Sequence, residues 1–468
     1  MKIDVLTLFP EFIESGFSTS ILGRACENGL LNVNTVNIRD FSKDKNGRVD
    51  DYTYGGGAGM LMQAQPVYDA FKSLKLNKEN AAGDVAADGI TRKQRVIYVT
   101  PQGKPFKQSD AISLSKEEEI VFLCGHYEGI DERVLDKIVT DRFSIGDYVL
   151  TGGELPALVM IDAIARLIPG VLGNETSADV ESFYGDLLEY PQYTRPEIWE
   201  GESVPAELLT GNPKEVASFR RSKAEILTKK VRPDLYEKYE LRNKYIKELL
   251  KDKRNNIQLI EALRRGTGEI IHTGPLIIYM PCDELVLVDT SAVMDVKEFF
   301  DIIPDNIHSI VVSKEFGDIL KDVPGLEKSC DVYNYVYTEN VHRKIKNKDI
   351  RLLDEKYADF VGKAYELGGY EYAVSRVRDG VVYGIFEDDE IAGFIGCHGE
   401  GSIGMLYIDE KYRHKGYAAD LESFMFNKDL ELGRIPYGQV VLGNEASIKL
   451  QEKMGVYGGD KILTWLHL

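Results

Sequence analysis

Two opposite charges interrupt an apolar pattern in residues 144–174, SIGDYVLTGGELPALVMIDAIARLIPGVLGN. Asp162 and Arg166 stand four residues apart, on one face of the helix that Leu158, Ile161, Ile164, Ala165 and Ile168 predict by their spacing. An arginine there is a permanent cation with a planar fork of donors, suited to holding negative charge as it grows on a substrate oxygen. The pair reads equally as a solvated ion pair on a core helix. Three glycine-rich segments each follow an apolar run. They are Pro101-Gln102-Gly103 after RVIYVT, Gly125-His126-Tyr127-Glu128-Gly129 after EIVFLC, and Gly152-Gly153 after the β-like Tyr148–Leu150. In α/β folds ligands bind beyond the carboxyl ends of strands, and glycine lets backbone groups approach them. Three such loops predict one pocket built largely of backbone, although any single one also reads as a tight turn. A fourth cluster, Tyr54 to Met60 with Gly55, Gly56, Gly57 and Gly59, lacks the Gly-Lys-Ser/Thr ending of a phosphate-binding P-loop. Far downstream, Tyr412-Arg413-His414-Lys415-Gly416-Tyr417-Ala418 opens an amphipathic helix, and amides at such a start suit a pyrophosphate.

These residues need a scaffold. Ile3–Phe9 reads as a strand closed by Pro10, Val33–Ile38 as a second, and residues 95–100 and 119–124 as buried strands. Pro156 sits where a first-turn proline belongs, and Pro169-Gly170 should stop the helix. Arg220, Arg221, Lys223, Lys229, Lys230 and Arg232 form a basic helical run after Tyr193-Thr194-Arg195-Pro196; it is a phosphate-gripping face or a solvated one. The whole chain carries −19, from 57 Lys+Arg against 76 Asp+Glu, which argues against a generally sticky nucleic-acid binder. At 468 residues it has room for two or three domains. Its five cysteines, Cys26, Cys124, Cys282, Cys330 and Cys397, are scattered and outside metal-pair spacing, as expected of a cytoplasmic protein. No apolar run of about twenty residues predicts a membrane span, the opening residues are unlike a signal peptide, and no carboxylate cage names a metal ligand.

The stretches GRACENGLL, VDDYTYGGGAGMLMQ, PQG, CGHYEGIDERV, SIGDYVLTGGELPALVMIDAIARLIPGVLG and YTRPEIWEGESVP together resemble the bacterial tRNA (guanine-N1)-methyltransferases over residues 1–240. That family modifies the guanine just 3′ of the anticodon. The resemblance implies an α/β SPOUT fold with a deep trefoil knot, one of the rare exceptions to un-knotted chains. It also implies a homodimer, S-adenosylmethionine as methyl donor, a magnesium requirement and a small helical part that binds tRNA. On this basis residues 1–172 bind the cofactor, 173–240 are the loop and the helical tRNA-binding part, and 241–253 are a charged helical linker. Carried over position by position, the cofactor contacts fall on Tyr98, Val99, Pro101, Gly125, Tyr127, Glu128, Ile145, Gly146, Tyr148, Leu150, Gly152, Gly153 and Pro156. Arg166 takes the cation position. The general base, an aspartate in the family's loop, aligns with Glu181 in Ser177-Ala178-Asp179-Val180-Glu181-Ser182-Phe183, with Asp179 as the alternative. Gly55, Gly56, Gly57, Arg195, Arg220 and Arg221 are the tRNA-binding positions.

The second half reads differently. Leu276–Met280, Leu285–Asp289 and Ser309–Val312 predict strands around a helix at Val296–Phe300, a small α/β lobe over 254–349. Val381–Glu387, Glu390–His398 and Ser402–Ile408 predict an antiparallel meander with Asp388-Asp389 in its first turn. With the Arg413–Ala418 loop and Asn444, Ser447 and Leu450 further on, residues 350–468 resemble an α+β GNAT N-acetyltransferase domain, preceded by the lobe found in two-lobed members. The resemblance implies acetyl-CoA held at Arg413, Gly416, Ala418 and Asn444. Gln451 stands where many members carry a tyrosine that protonates the departing thiolate. The domain is therefore an N-acyltransferase or a CoA-binding regulatory module. Likewise the first half is an enzyme, or an RNA binder whose transfer is impaired at Glu181.

Overall fold

The structure, a computed structural model, describes residues 1–56, 59–74, 95–172, 186–347, 349–365 and 367–468. It divides into two compact units, Met1–Ala178 and Asp179–Leu468. The first unit runs β1 (Lys2–Thr7), α1 (Pro10–Gly16), α2 (Ser20–Glu27), β2 (Asn32–Asn37), β3 (Asp50–Tyr52), β4 (Met60–Met62), α3 (Ala64–Ser73), β5 (Arg95–Pro105), α4 (Gln108–Leu114), β6 (Glu119–Cys124), α5 (Glu132–Ile138), β7 (Asp141–Ser144) and α6 (Glu154–Ala165). Five of its strands form a parallel sheet in the order β2-β1-β6-β5-β7. Every residue of β6 is buried, because a central parallel strand is covered on both faces. Its side chains alternate between two cores. Ile120, Phe122 and Cys124 pack with Ile13, Ala111 and Ile161 of α1, α4 and α6. Val121 and Leu123 pack with Val67, Ala70, Val134 and Leu135 of α3 and α5.

β5 and β7 meet twice. Ile97–Val99 pair with residues 141–143; after Thr100–Gly103, Lys104 and Pro105 pair with Phe143 and Ser144. Residues 100–103 are thus an irregular stretch inside β5, which runs on to Pro105, and both flanks of that stretch hold Phe143. Gly103 is required there, since a Cβ would lie 2.5 Å from the carbonyl carbons of Arg142 and Phe143. Two local expectations are corrected. Tyr148–Leu150 is not a strand: the chain leaves β7 at Ser144 and passes through bends, with Val149 86% exposed and, among the described residues, no strand paired with it. The long helix ends at Ala165, before Ile168, because the Leu167 and Ile168 amides turn to the Ile164 and Ala165 carbonyls in a tighter winding.

The second unit runs β8 (Ile198–Trp199), β9 (Glu202–Ser203), α7 (Pro213–Val231), α8 (Pro233–Leu249), α9 (Ile257–Arg264), β10 (Glu269–Thr273), β11 (Leu276–Met280), β12 (Leu285–Val288), α10 (Val296–Ile302), β13 (Ser309–Ser313), α11 (Lys314–Leu320), β14 (Glu327–Val336), β15 (Ile350–Leu352), α12 (Ala358–Ala364), α13 (Gly369–Arg378), β16 (Val382–Glu387), β17 (Glu390–Cys397), β18 (Ile403–Ile408), α14 (Tyr417–Glu431), β19 (Tyr437–Val441), α15 (Glu445–Lys453) and β20 (Tyr457–His467). Strands β10 to β20 form one sheet in the order β10-β11-β12-β13-β20-β14-β19-β18-β17-β16-β15. The meander β16–β17–β18 is antiparallel, and Asp388 and Asp389 turn it with φ of 51° and 62°.

Residues 241–249 continue α8 without a break, and Tyr245, Ile246 and Leu249 pack into the core formed by α9, β11 and β12. Tyr245 donates from its hydroxyl to the Thr273 carbonyl at 2.7 Å. The charged stretch between the halves is therefore the seated end of a helix. The break at 349/350 also falls inside a shared sheet: β14 lies between β19 and β20, and β13 pairs with β20.

Candidate active site

The glycine loop after β6 and the one before α6 meet beyond the carboxyl end of β6, whereas Pro101, Gln102 and Gly103, expected as a loop, lie inside β5 in its irregular stretch against β7. The Gly153 amide donates to the Gly125 carbonyl at 2.9 Å. A Cβ on Gly153 would stand 2.8 Å from Cys124 Cα, and one on Gly125 would stand 3.0 Å from the Tyr98 hydroxyl, so close approach requires glycine at both. Tyr98 and Val99 are buried beneath this junction and Pro101 is exposed at its rim. Burial pushes the Tyr98 phenol up. Burial likewise lifts the Cys124 thiol well above its ordinary range, with Glu154 adding to the effect.

Ile145, Gly146 and Tyr148 form a second group. The Gly146 amide donates to Ser144 Oγ at 3.2 Å, and the Tyr148 hydroxyl donates to the Ile145 carbonyl at 3.4 Å. Gly146 has φ +150°, and a Cβ there would meet the Tyr148 ring. Leu150 is exposed, Gly152 lies against His126 and Glu154, and Pro156 is buried in the first turn of α6. Tyr127 holds a left-handed φ of 59°, rare for a bulky residue. The Glu128 amide donates to the Met60 carbonyl at 3.0 Å and the Met62 amide to the Gly129 carbonyl at 2.9 Å. Gly59, at φ +113°, leaves the room that the Glu128 side chain occupies. The loop after Tyr54 is thereby fastened to the loop after β6, with Gly55 and Gly56 at positive φ and Tyr54 fully exposed.

Glu154, which the sequence reading passed over, and His126, in the glycine segment after β6, help to build this end of the sheet. Glu154, buried at the start of α6, accepts a hydrogen bond from Thr7 Oγ1 at 2.8 Å, and the Phe9 amide donates to the same Thr7 oxygen at 2.9 Å. A carboxylate in the first turn of a helix was the available signal. His126 packs against Phe9 and Tyr127 with ring centroids 5.2 Å away in each case. Arg166 caps α6 and is exposed, on one stripe with Leu155, Val159 and Asp162. Glu181, Asp179 and Gly57 lie outside the described residues.

In the second unit, Arg195, Arg220 and Arg221 are exposed. The Arg220 guanidinium lies 4.9 Å from the Tyr190 ring centroid, and Arg221 donates to the Tyr239 hydroxyl at 2.9 Å and pairs with Glu225 at 3.2 Å. Lys229 Nζ lies 5.0 Å from the Tyr236 ring centroid, and the basic residues Arg220, Arg221, Lys229 and Lys230 are spread around α7, not gathered on one face. In the GNAT-like region Gly416 caps α14 at φ +91°, with Ala418 in its first turn. Arg413 donates to the Ile408 carbonyl at 3.2 Å, and Asn444 caps α15 by accepting from the Ser447 amide at 3.1 Å. Gln451 donates to the buried Glu422 at 2.7 Å. Among the described residues no three His, Cys, Asp or Glu side chains are placed to hold a metal ion, and no helix is long and apolar enough to cross a membrane.

A parallel α/β sheet with backbone loops gathered at its carboxyl edge defines a cofactor-binding domain. The family model "tRNA (Guanine-1)-methyltransferase TrmD" matches residues 1–238, and the chain belongs to that family. A second model, "Acetyltransferase (GNAT) family", matches residues 350–456. Curated relatives named tRNA (guanine-N(1)-)-methyltransferase include one from Lachnoclostridium phytofermentans, 53% identical over 280 residues, which are 57% of this chain and 98% of that protein. One from Lachnospira eligens is 54% identical over 239 residues, 51% of this chain and 96% of that protein. One from Clostridium botulinum is 53% identical over 252 residues, 54% of this chain and 98% of that protein.

Proposed function

We propose that residues 1–240 transfer the methyl group of S-adenosylmethionine to N1 of the guanine 3′ of the anticodon in tRNA. The observation that carries this reading is the junction of Gly125, Gly153 and Tyr98 at the sheet's carboxyl edge in a chain of this family. The bound cofactor supplies an electrophilic methyl group. Glycines without Cβ atoms leave peptide groups open to hydrogen-bond its adenosine, while Tyr127, Glu128, Ile145, Gly146, Tyr148, Leu150, Gly152 and Pro156 form the surrounding walls. Arg166 holds the negative charge that grows on the guanine oxygen. Glu181 takes the N1 proton, and Asp179 is the competing carboxylate of the same loop. Magnesium would be bound mainly through water and substrate oxygens, since it dehydrates reluctantly.

The finer architecture belongs to the same proposal. The irregular stretch 100–103 of β5 is where a trefoil-knotted SPOUT chain would thread past β7. A second copy would cover the exposed face that carries Leu155 and Val159 on α6, Phe12 on α1 and Phe9 just before α1, giving a homodimer. tRNA would be gripped at Gly55, Gly56, Gly57, Arg195, Arg220 and Arg221, in the cytoplasm. The GNAT domain would bind acetyl-CoA at Arg413, Gly416, Ala418 and Asn444. The test is methyl incorporation from labelled cofactor into unmodified tRNA by the full chain, beside Glu181→Gln and Asp179→Asn. Abolished transfer in Glu181→Gln with tRNA and cofactor still bound is expected. Transfer lost only in Asp179→Asn would assign the base to Asp179, and no transfer by the parent chain would overturn the proposal.

A further inference from the structure

Residues 337–347 leave β14 and cross α14 without regular structure. Two side chains of α14 hold them. Asn427 Oδ1 accepts from the Arg343 amide at 2.6 Å, and Asn427 Nδ2 donates to the Arg343 carbonyl at 2.9 Å. Nearer the helix start, Asp420 accepts from the Lys346 amide at 2.9 Å and from the Asn347 amide at 3.1 Å. These anchors are about two helical turns, roughly 10 Å, apart. Phe424 lies between them on the same helix face. Between the anchors the segment does not close on the helix. A cavity of about 450 Å³ remains, lined by Arg343, Lys344, Ile345, Ile350 of β15 and Phe424. That is within the range of small-ligand pockets, about 300–1,000 Å³.

The cavity has an apolar floor. Ile350 and Phe424 pack against the same core, and the Phe424 ring lies 5.0 Å from that of Tyr383. Its rim is cationic. The Arg343 guanidinium is already fixed, 4.5 Å from the Tyr337 ring centroid and 5.8 Å from that of Phe426, with one Nη donating to the Met454 carbonyl. Its Nε is buried and, among the described residues, has no hydrogen-bond partner. Glu422, the carboxyl that feels Arg343, is lifted by burial to about 8 and is neutral near pH 7. Lys344 is exposed, and Lys428, one turn beyond Phe424, reaches the Tyr383 hydroxyl. Other nearby carboxylates are engaged: Asp420 by its two amides, and Glu431 beside His342 Nδ1 at 3.8 Å. Cations around an apolar floor favour an anion with an apolar body. With one Nη spent on Met454, Arg343 offers few donors, which suits a singly charged head.

We propose that this cavity binds a small monocarboxylic acid, with its carboxylate on Arg343 and Lys344 and its apolar body against Ile345, Ile350 and Phe424. Arg343 is ordered before the ligand arrives, so little freedom is lost at the charged end. The reading does not rest on acetyl-CoA binding.

The full chain is titrated by calorimetry at neutral pH with 4-phenylbutyrate, 4-phenylbutanol and 4-phenylbutylamine, which share one body and carry an anionic, a neutral and a cationic head. Each titration is run with and without acetyl-CoA. Saturable one-to-one binding of the acid is expected, about tenfold or more tighter than the alcohol, with the amine weakest. Lys344→Glu, at an exposed position, should weaken the acid about tenfold and leave the alcohol within about twofold. Ile345→Asp should weaken both. No saturable binding, equal affinity for acid and alcohol, or tighter binding of the amine would overturn the proposal. So would affinities unchanged in both variants, or acid binding that acetyl-CoA abolishes, which would place the acid at the 413–416 loop.

Discussion

Gly103→Ala tests the tightest backbone approach near the cofactor loops. The new Cβ would lie 2.5 Å from the carbonyl carbons of Arg142 and Phe143. Ordinary carbon contacts begin near 3.5 Å, so β5 at Gly103 and β7 must separate by about 1 Å. Both sides of the clash are backbone and paired at Phe143, so no rotamer change relieves it. Overpacking costs about 1–3 kcal/mol, and a backbone clash belongs at the upper end of that range. For a unit of this size each kcal/mol moves the melting temperature by about 2–4 °C, giving a fall of roughly 6–12 °C. The assay is thermal unfolding of the full chain, following the transition that S-adenosylmethionine raises, since a ligand stabilises the unit that binds it. Gly16→Ala is the control: its Cβ would meet only the side-chain tip of Leu158, which can swing away. Cofactor affinity should also fall in Gly103→Ala, because the displaced residues flank Val99 and Ile145. If Gly103→Ala melts with Gly16→Ala and binds cofactor normally, the close crossing at Phe143 is wrong.

Arg166→Ala should lower methyl transfer about 10²-fold or more while cofactor affinity changes little, as steady-state kinetics and calorimetry would read; parallel losses would mean a structural role for the α6 cap. Gly416→Glu should abolish acetyl-CoA binding to the full chain, since the site needs a positive φ and bare amides; unchanged binding would leave the 413–416 loop as only a strand-to-helix turn. Glu422 offers a pH test. Burial lifts its carboxyl to about 8, with Gln451 and Arg343 opposing the shift. The folded unit thus keeps a proton that the unfolded chain loses near the ordinary carboxyl value, so stability falls as pH rises between the two. Against Glu422→Gln, which lacks this titration, the parent should lose up to about 1.4 kcal/mol per pH unit between about pH 5 and 8 in urea unfolding; a pH-independent difference would place Glu422 in a wetter setting.

Features of the site that depend on local chemistry were legible in the sequence. Gly125 and Gly153 announced close backbone approach because glycine is the residue such contacts tolerate, and Arg166 announced itself as a charge on an apolar helix. What depends on distant partners was not. Thr7 and Glu154 are 147 residues apart, and nothing near either names the other. Gly103 looked like part of a turn; its need for a bare Cα comes from Phe143 in another strand. Tyr148–Leu150 has the residue types of a strand but, among the described residues, no strand pairs with it. In the second half the meander was plain from alternation and its Asp-Asp turn, whereas the insertion of β14 between β19 and β20 is a long-range pairing choice that no local pattern encodes. The helical character of residues 241–249 was readable; their docking through Tyr245, Ile246 and Leu249 was not.

The central claim is that the first half of this chain methylates one nitrogen of one guanine. Unmodified tRNA treated with the full chain, S-adenosylmethionine and magnesium, then digested to nucleosides and to defined fragments, tests it most directly. The account predicts 1-methylguanosine, confined to the fragment carrying the guanine 3′ of the anticodon. An N2- or N7-methyl isomer, or the 1-methyl product at another position, would contradict it.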